Sequence, residues 1–154
     1  MSSPLRGALA AALTVTLALP AFADGDAAKG QVVFKKCLAC HSVEPGAPSK
    51  VGPNLHDVVG RKSGTFEGFK YSPAMLKMGE EGHVWTPEEI DKLIEAPMKN
   101  FPGIKMAFPG LKKPEERADV IAYLISLHPD GAAAGGAAPA AAPAADTEAP
   151  APSN

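Results

Sequence analysis

The chain has 154 residues, 15 basic and 17 acidic side chains, a net charge of −2 and two cysteines. So even a charge balance argues against nucleic acid as a partner, and two cysteines are too few for a disulfide framework. The length leaves room for one modest domain once the non-globular ends are set aside.

The N-terminus has the pattern of an export leader. Arg6 gives a positive start, Gly7 to Leu19 is apolar and uncharged, Pro20 interrupts it, and Ala21-Phe22-Ala23 is an A-x-A cleavage site ahead of Asp24. The apolar stretch falls short of the roughly 20 residues that a membrane-spanning helix needs. Residues 1–23 are therefore expected to be a cleaved secretory signal peptide; an uncleaved anchor is the other reading. Residues 131–154 are mostly Ala, Pro and Gly, with two acids, Asp146 and Glu148. Such a tract buries too little apolar surface to offset its ordering entropy, so a disordered, partly polyproline tail is expected. A tether is its alternative role. Residues 24–130 remain as the single domain. Loss of Arg6 takes the chain to about −3, and setting aside the two tail acids takes the domain to about −1.

The first predicted helix covers Ala27 to Lys36, with Gly30 and Phe34 one turn apart. A small residue there lets another helix approach closely. The helix runs straight into Cys37-Leu38-Ala39-Cys40-His41. A C-x-x-C-H run points to covalent haem attachment. Two thiols can add across the two vinyl groups of a haem, and the adjacent imidazole can then bind the iron. A redox dithiol and half of a zinc site are the competing readings; the zinc site needs about two further ligands, and there is no third cysteine.

A Pro- and Gly-rich loop follows from Val43 to Pro53. No alternating strand pattern appears, because Val32-Val33 and Val58-Val59 are too short. Ser72-Pro73 starts a short helix expected to stop at Gly79. Thr86-Pro87-Glu88-Glu89 has the form of a capping box, with Trp85 and Ile90 as its hydrophobic staple and an end before Pro97. Pro114 opens a last helix through Leu127, carrying an apolar stripe of Val120, Ile121, Tyr123, Leu124 and Leu127. Its early acids, Glu115, Glu116 and Asp119, suit the positive end of the helix dipole. The predicted class is all-α, about four helices with long loops around one buried cofactor.

A second axial ligand must come from elsewhere. Met75 and Met78 have ready explanations as packing residues in the short helix. Met106 lies in a loop bracketed by Pro102-Gly103 and Pro109-Gly110, which can shape one side chain toward the iron. Met98, at a helix end, is the next candidate. His56, His83 and His128 are expected to be surface histidines and complete the alternatives.

Several ordered motifs then carry a family likeness. Cys37-Leu-Ala-Cys-His41, Val51-Gly-Pro-Asn-Leu55, Gly60-Arg-Lys-Ser-Gly64, Phe69-Lys-Tyr71, Trp85, Pro102-Gly-Ile-Lys-Met106 and Glu116-Arg-Ala-Asp-Val-Ile-Ala-Tyr-Leu124 resemble a class I c-type cytochrome. The bacterial c2 and mitochondrial types are the most similar. The likeness runs from Asp26 to about Leu127. It implies one covalently bound haem c on Cys37 and Cys40, with His41 and Met106 as axial ligands. Pro53 would offer its carbonyl to His41. Arg61, Tyr71 and Trp85 would contact the haem propionates, Phe108 would cover the distal face, and Gly30 and Phe34 would pack on Val120 and Tyr123. Three positions depart from the mitochondrial pattern: Leu93, Ile104 and Met75 each stand where that pattern has a polar partner near the haem. The segment between Tyr71 and Trp85 is also slightly longer.

The resemblance implies a periplasmic, monomeric electron carrier without substrate turnover of its own. Its partners would be a quinol-oxidising cytochrome complex and a terminal oxidase or photosynthetic reaction centre. Lys36, Lys50, Lys99, Lys105 and Lys112 would ring the exposed haem edge, with Met98 at one position of the family ring. A haem enzyme or gas sensor would need an open iron site. A dedicated dehydrogenase partner would use the same chemistry with a different acceptor surface.

Overall fold

Asp26 starts the first helix by accepting from the Ala28 and Lys29 amides at 2.9 and 3.1 Å, so one carboxylate satisfies two first-turn donors. The computed structural model describes residues 25–128. The leader expected over 1–23 and the tail expected over 131–154 lie outside those residues. Among the described residues the helices are α1 (Ala27–Phe34), α2 (Pro73–Glu80), α3 (Pro87–Glu95), α4 (Pro97–Asn100) and α5 (Pro114–Ser126). The all-α expectation holds. None of these helices is long and apolar enough to cross a membrane.

Helix α1 ends two residues earlier than its sequence pattern suggests. Lys35, Lys36 and Cys37 continue in tighter turns, each amide bonding the carbonyl three residues back. Helix α1 crosses α5 at very short range. A Cβ on Gly30 would stand 1.9 Å from the Asp119 carbonyl oxygen and 2.8 Å from the Tyr123 Cβ. Gly30 thus meets the α5 backbone at Asp119 rather than the Val120 side chain, which lies buried in the core. Phe34 and Tyr123 pack with ring centroids 5.3 Å apart, as expected. The Asp26 amide donates to the Asp119 carboxylate at 2.7 Å, and Lys36 pairs with Glu116 at 2.8 Å.

Ser72 caps α2 through the Met75 amide. The helix passes Gly79 and ends at Glu80, and Gly82, at φ +88°, supplies the left-handed turn that closes it. Gly79 instead allows a close approach, since a Cβ there would lie 2.1 Å from the Ser63 carbonyl. At α3 only half of the capping box forms. The Thr86 hydroxyl accepts from the Glu89 amide, but the Glu89 carboxylate turns to His83 and Lys92, and the Thr86 amide bonds Val84 instead. A single turn, α4, follows at once and was not expected; Pro97 at its first position pre-sets the backbone angle.

The core draws on helices and loops alike. Phe34, Ile90, Val120 and Leu124 come from helices, while Val59, Phe101, Ile104 and Leu111 come from the connections. The extended pairing among the described residues is one antiparallel bridge, Lys62 with Val84.

Gly30→Val should force α1 off α5. Overpacking of this kind costs on the order of 1–3 kcal/mol. Chemical denaturation of the holoprotein should show a lower midpoint with an unchanged slope.

Candidate functional site

The C-x-x-C-H run forms one tight turn. The Cys40 and His41 amides both donate to the Cys37 carbonyl, at 3.0 and 2.9 Å. In such a turn residues three and four apart share a face, so both thiols and the imidazole are presented together. Cys37 is half-buried, Cys40 is exposed, and the two are not joined as a disulfide. Burial pushes the Cys37 thiol up to about 11, against a smaller downward pull from Lys36. A thiol held protonated is the reverse of what a redox dithiol needs. Among the described residues no three His, Cys, Asp or Glu side chains gather in metal-binding range, so nothing completes a zinc site.

His41 is held from behind. Its Nδ1 donates to the Pro53 carbonyl at 2.7 Å, which assigns that nitrogen the proton and leaves the Nε2 lone pair for a metal. Burial lowers the imidazole pKa, partly offset by the Pro53 carbonyl, and so favours the neutral ligand form. The ring lies flat against Gly52, where a Cβ would stand 2.3 Å from Cε1. The Gly52 amide in turn bonds the Cys40 carbonyl at 2.8 Å, and the Lys50 ammonium bonds the Leu38 carbonyl at 3.0 Å. Buried Asn54 ties the rest of the loop, donating to Glu44 and Ala47 and accepting from the His56 amide.

A belt of half-buried apolar side chains packs on the core: Leu55, Met75, Met78, Leu93, Met106 and Phe108. Met106 and Phe108 sit on the long connection between α4 and α5, as the motif suggests. Met98 is on α4 with 57% of its surface exposed. Met75 is not idle packing, because the buried Ser63 hydroxyl donates to its sulfur at 2.9 Å.

Arg61, Tyr71 and Trp85 are brought into one neighbourhood. Arg61 donates to the His56 and Asn54 carbonyls at 3.1 and 2.9 Å and lies over the Phe66 ring. The Tyr71 hydroxyl accepts from the Phe66 amide. The Trp85 amide bonds the Arg61 carbonyl, and the Trp85 carbonyl accepts from Gly60. Burial raises the Tyr71 pKa against a smaller pull from Arg61, so its hydroxyl stays a donor at neutral pH. The surface-histidine expectation fails for His83. It is wedged edge-on against Trp85 and Phe101 and bonded to Glu89, because Val84 between it and Trp85 takes the outward place on this extended stretch. His56 is likewise half-buried beside Asp57.

Two sulfurs and one imidazole nitrogen on one turn, with half-buried apolar side chains on the core that include the thioethers of Met75, Met78 and Met106, are a donor set suited to a haem. Gly52, Asn54 and Ser63 are the supporting residues that motif spacing does not single out. All three lie in the runs Gly52-Pro-Asn54 and Gly60-Arg-Lys-Ser63-Gly64, which is the signal that could have found them.

A family model described as Cytochrome c matches residues 27–128. A cytochrome c2 of Agrobacterium tumefaciens is 51% identical over 102 residues, covering 66% of this chain and 92% of that relative. A cytochrome c-550 of Ancylobacter novellus is 45% identical, covering 68% of this chain and 97% of its own. The solved cytochrome c2 of Rhodospirillum centenum is 41% identical, with a TM-score of 0.65 over 68% of this chain and all of that one.

Pro53→Ala keeps the backbone carbonyl and should leave the environment of His41 almost unchanged. Gly52→Ala should displace the ring, seen as a shift of the haem absorption bands and a lower yield of covalently loaded protein.

Proposed function

Because the chain belongs to the cytochrome c family, whose members hold one covalently attached haem c and carry electrons, we propose that it is a periplasmic one-electron carrier with His41 and Met106 as axial ligands. The hydrogen bond from His41 of the C-x-x-C-H turn to the Pro53 carbonyl carries this reading. When bound, the haem supplies an iron that takes up and releases one electron. The protein residues determine how readily it does so. Cys37 and Cys40 would tether the ring on one face of the turn. Pro53, through Nδ1, would hold the His41 ring in one orientation and one tautomer. A Met106 thioether opposite it would favour a higher reduction potential than a second imidazole. Arg61, Tyr71 and Trp85 would face the propionates, Arg61 compensating their charge, and Phe108 would exclude water beside Met106.

Electrons would pass at the one edge of the haem that stays exposed. The lysines assigned to that edge are all exposed. Lys36, Lys50 and Lys112 are held by Glu116, the Leu38 carbonyl and the Glu95 carbonyl. Such a positive rim would steer the monomer to acidic surfaces on a quinol-oxidising complex and on a terminal oxidase or photosynthetic reaction centre. The leader pattern of residues 1–23 supports the periplasm as the place of work.

The ferric protein should show the weak long-wavelength charge-transfer band of thioether ligation. Met106→Ala should abolish it and let the ferrous protein bind carbon monoxide. If the unaltered ferrous protein binds carbon monoxide readily at neutral pH, the iron is open and the carrier reading gives way to an enzyme or sensor. Lys99→Glu and Lys105→Glu should each slow reduction by the quinol-oxidising complex several-fold at low ionic strength, with the difference fading as salt rises.

A further inference from the structure

The connection that carries Met106 leaves α3 and returns to it. The Leu111 amide donates to the Ile94 carbonyl at 2.7 Å, and the Lys112 ammonium donates to the Glu95 carbonyl at 2.9 Å. Gly110 rides so close to that same Glu95 oxygen that a Cβ would stand 1.9 Å away. At the outgoing end, the Asn100 side chain donates to the Lys92 carbonyl at 2.8 Å. Residues 96–112 thus form a closed loop fastened at the C-terminal end of α3, where unpaired carbonyls need donors.

One side chain reaches this join from outside the loop. Arg117 on α5 donates from Nε to the Asp91 carboxylate of α3 at 2.8 Å. Its Nη1 reaches the Leu111 carbonyl at 3.1 Å and the Lys112 carbonyl at 3.4 Å. The side chain is only 11% exposed. A planar guanidinium can serve the carboxylate and the carbonyls together in a fixed geometry; a lysine ammonium cannot match that fork.

We propose that Arg117 is a positioning residue for Met106. It pins the returning end of the loop to α3 and α5 and so holds the thioether at the iron. The inference rests on the His41/Met106 reading above. A purely structural Arg117, joining α3 to α5, would lower global stability without loosening Met106 in particular.

The test uses the full holoprotein with Arg117→Ala and Arg117→Lys. Val59→Ala, a buried deletion outside the loop and its anchors, serves as the stability control. Imidazole must displace Met106 to bind the ferric iron, so its affinity reports the hold on the thioether, and a denaturant midpoint reports global stability. Arg117→Ala should bind imidazole at least about tenfold more tightly than the unaltered protein, the size expected from loss of one charge-assisted hydrogen bond. Arg117→Lys should fall between, meeting Asp91 but not both carbonyls. The proposal is overturned if Arg117→Ala matches the unaltered protein, or if it gains no more than Val59→Ala at an equal loss of midpoint. It is also overturned if lysine restores the original affinity in full. The parent reading fails separately: Met106→Ala would then leave the charge-transfer band unchanged, and this inference would fall with it.

Discussion

The contact of Gly30 with the α5 backbone at Asp119 is the constraint on which the rest depends. With a hydrogen in place of a side chain, α1 and α5 approach until main chain meets main chain. Helix α1 delivers the C-x-x-C-H turn, and α5 follows the loop that carries Met106. Fixing one helix against the other therefore fixes the relation between the C-x-x-C-H turn and that loop. Dispersion and burial of Phe34, Val120 and Leu124 supply the attraction, while the glycine sets the distance.

The turn and the loop are held by different kinds of contact. On the His41 side the partners are near in sequence. Turn geometry presents thiols and imidazole, and Gly52 and Pro53 close on the ring from about a dozen residues away. On the Met106 side the partners come from two other helices, α3 and α5. Carbonyls at the end of α3 accept from Leu111 and Lys112, and Arg117 on α5 ties the join. A contact set gathered from distant segments involves more loop-closure entropy and opens more readily as a unit.

Loops supply half of this core, and side chains satisfy many of their backbone groups. Asn54 alone serves two carbonyls and one amide in the proximal loop. Gly79, Gly52 and Gly110 each admit a backbone or ring where a Cβ could not fit. The charges near the site are handled the same way. Arg61 directs two donors to carbonyls and rests on Phe66.

Sequence by itself determined what is local. The C-x-x-C-H turn, the caps at Ser72 and Thr86, the prolines that open α2, α3 and α5, and the glycine at the helix crossing are all short-range signals with one physical meaning each. Family likeness added Pro53, Arg61, Tyr71, Trp85 and Met106 as expectations. Tertiary structure alone decided the rest, because the choices lie between competing donors and acceptors whose places only the packed fold fixes. Glu89 left its reciprocal cap for His83 and Lys92, and His83 went inward between Trp85 and Phe101. Gly79 became a packing site while Gly82 closed the helix. Arg117 found α3 and the returning loop at once. No pattern within a dozen residues encodes such a meeting, since it exists only after α3, α5 and the loop have been packed together.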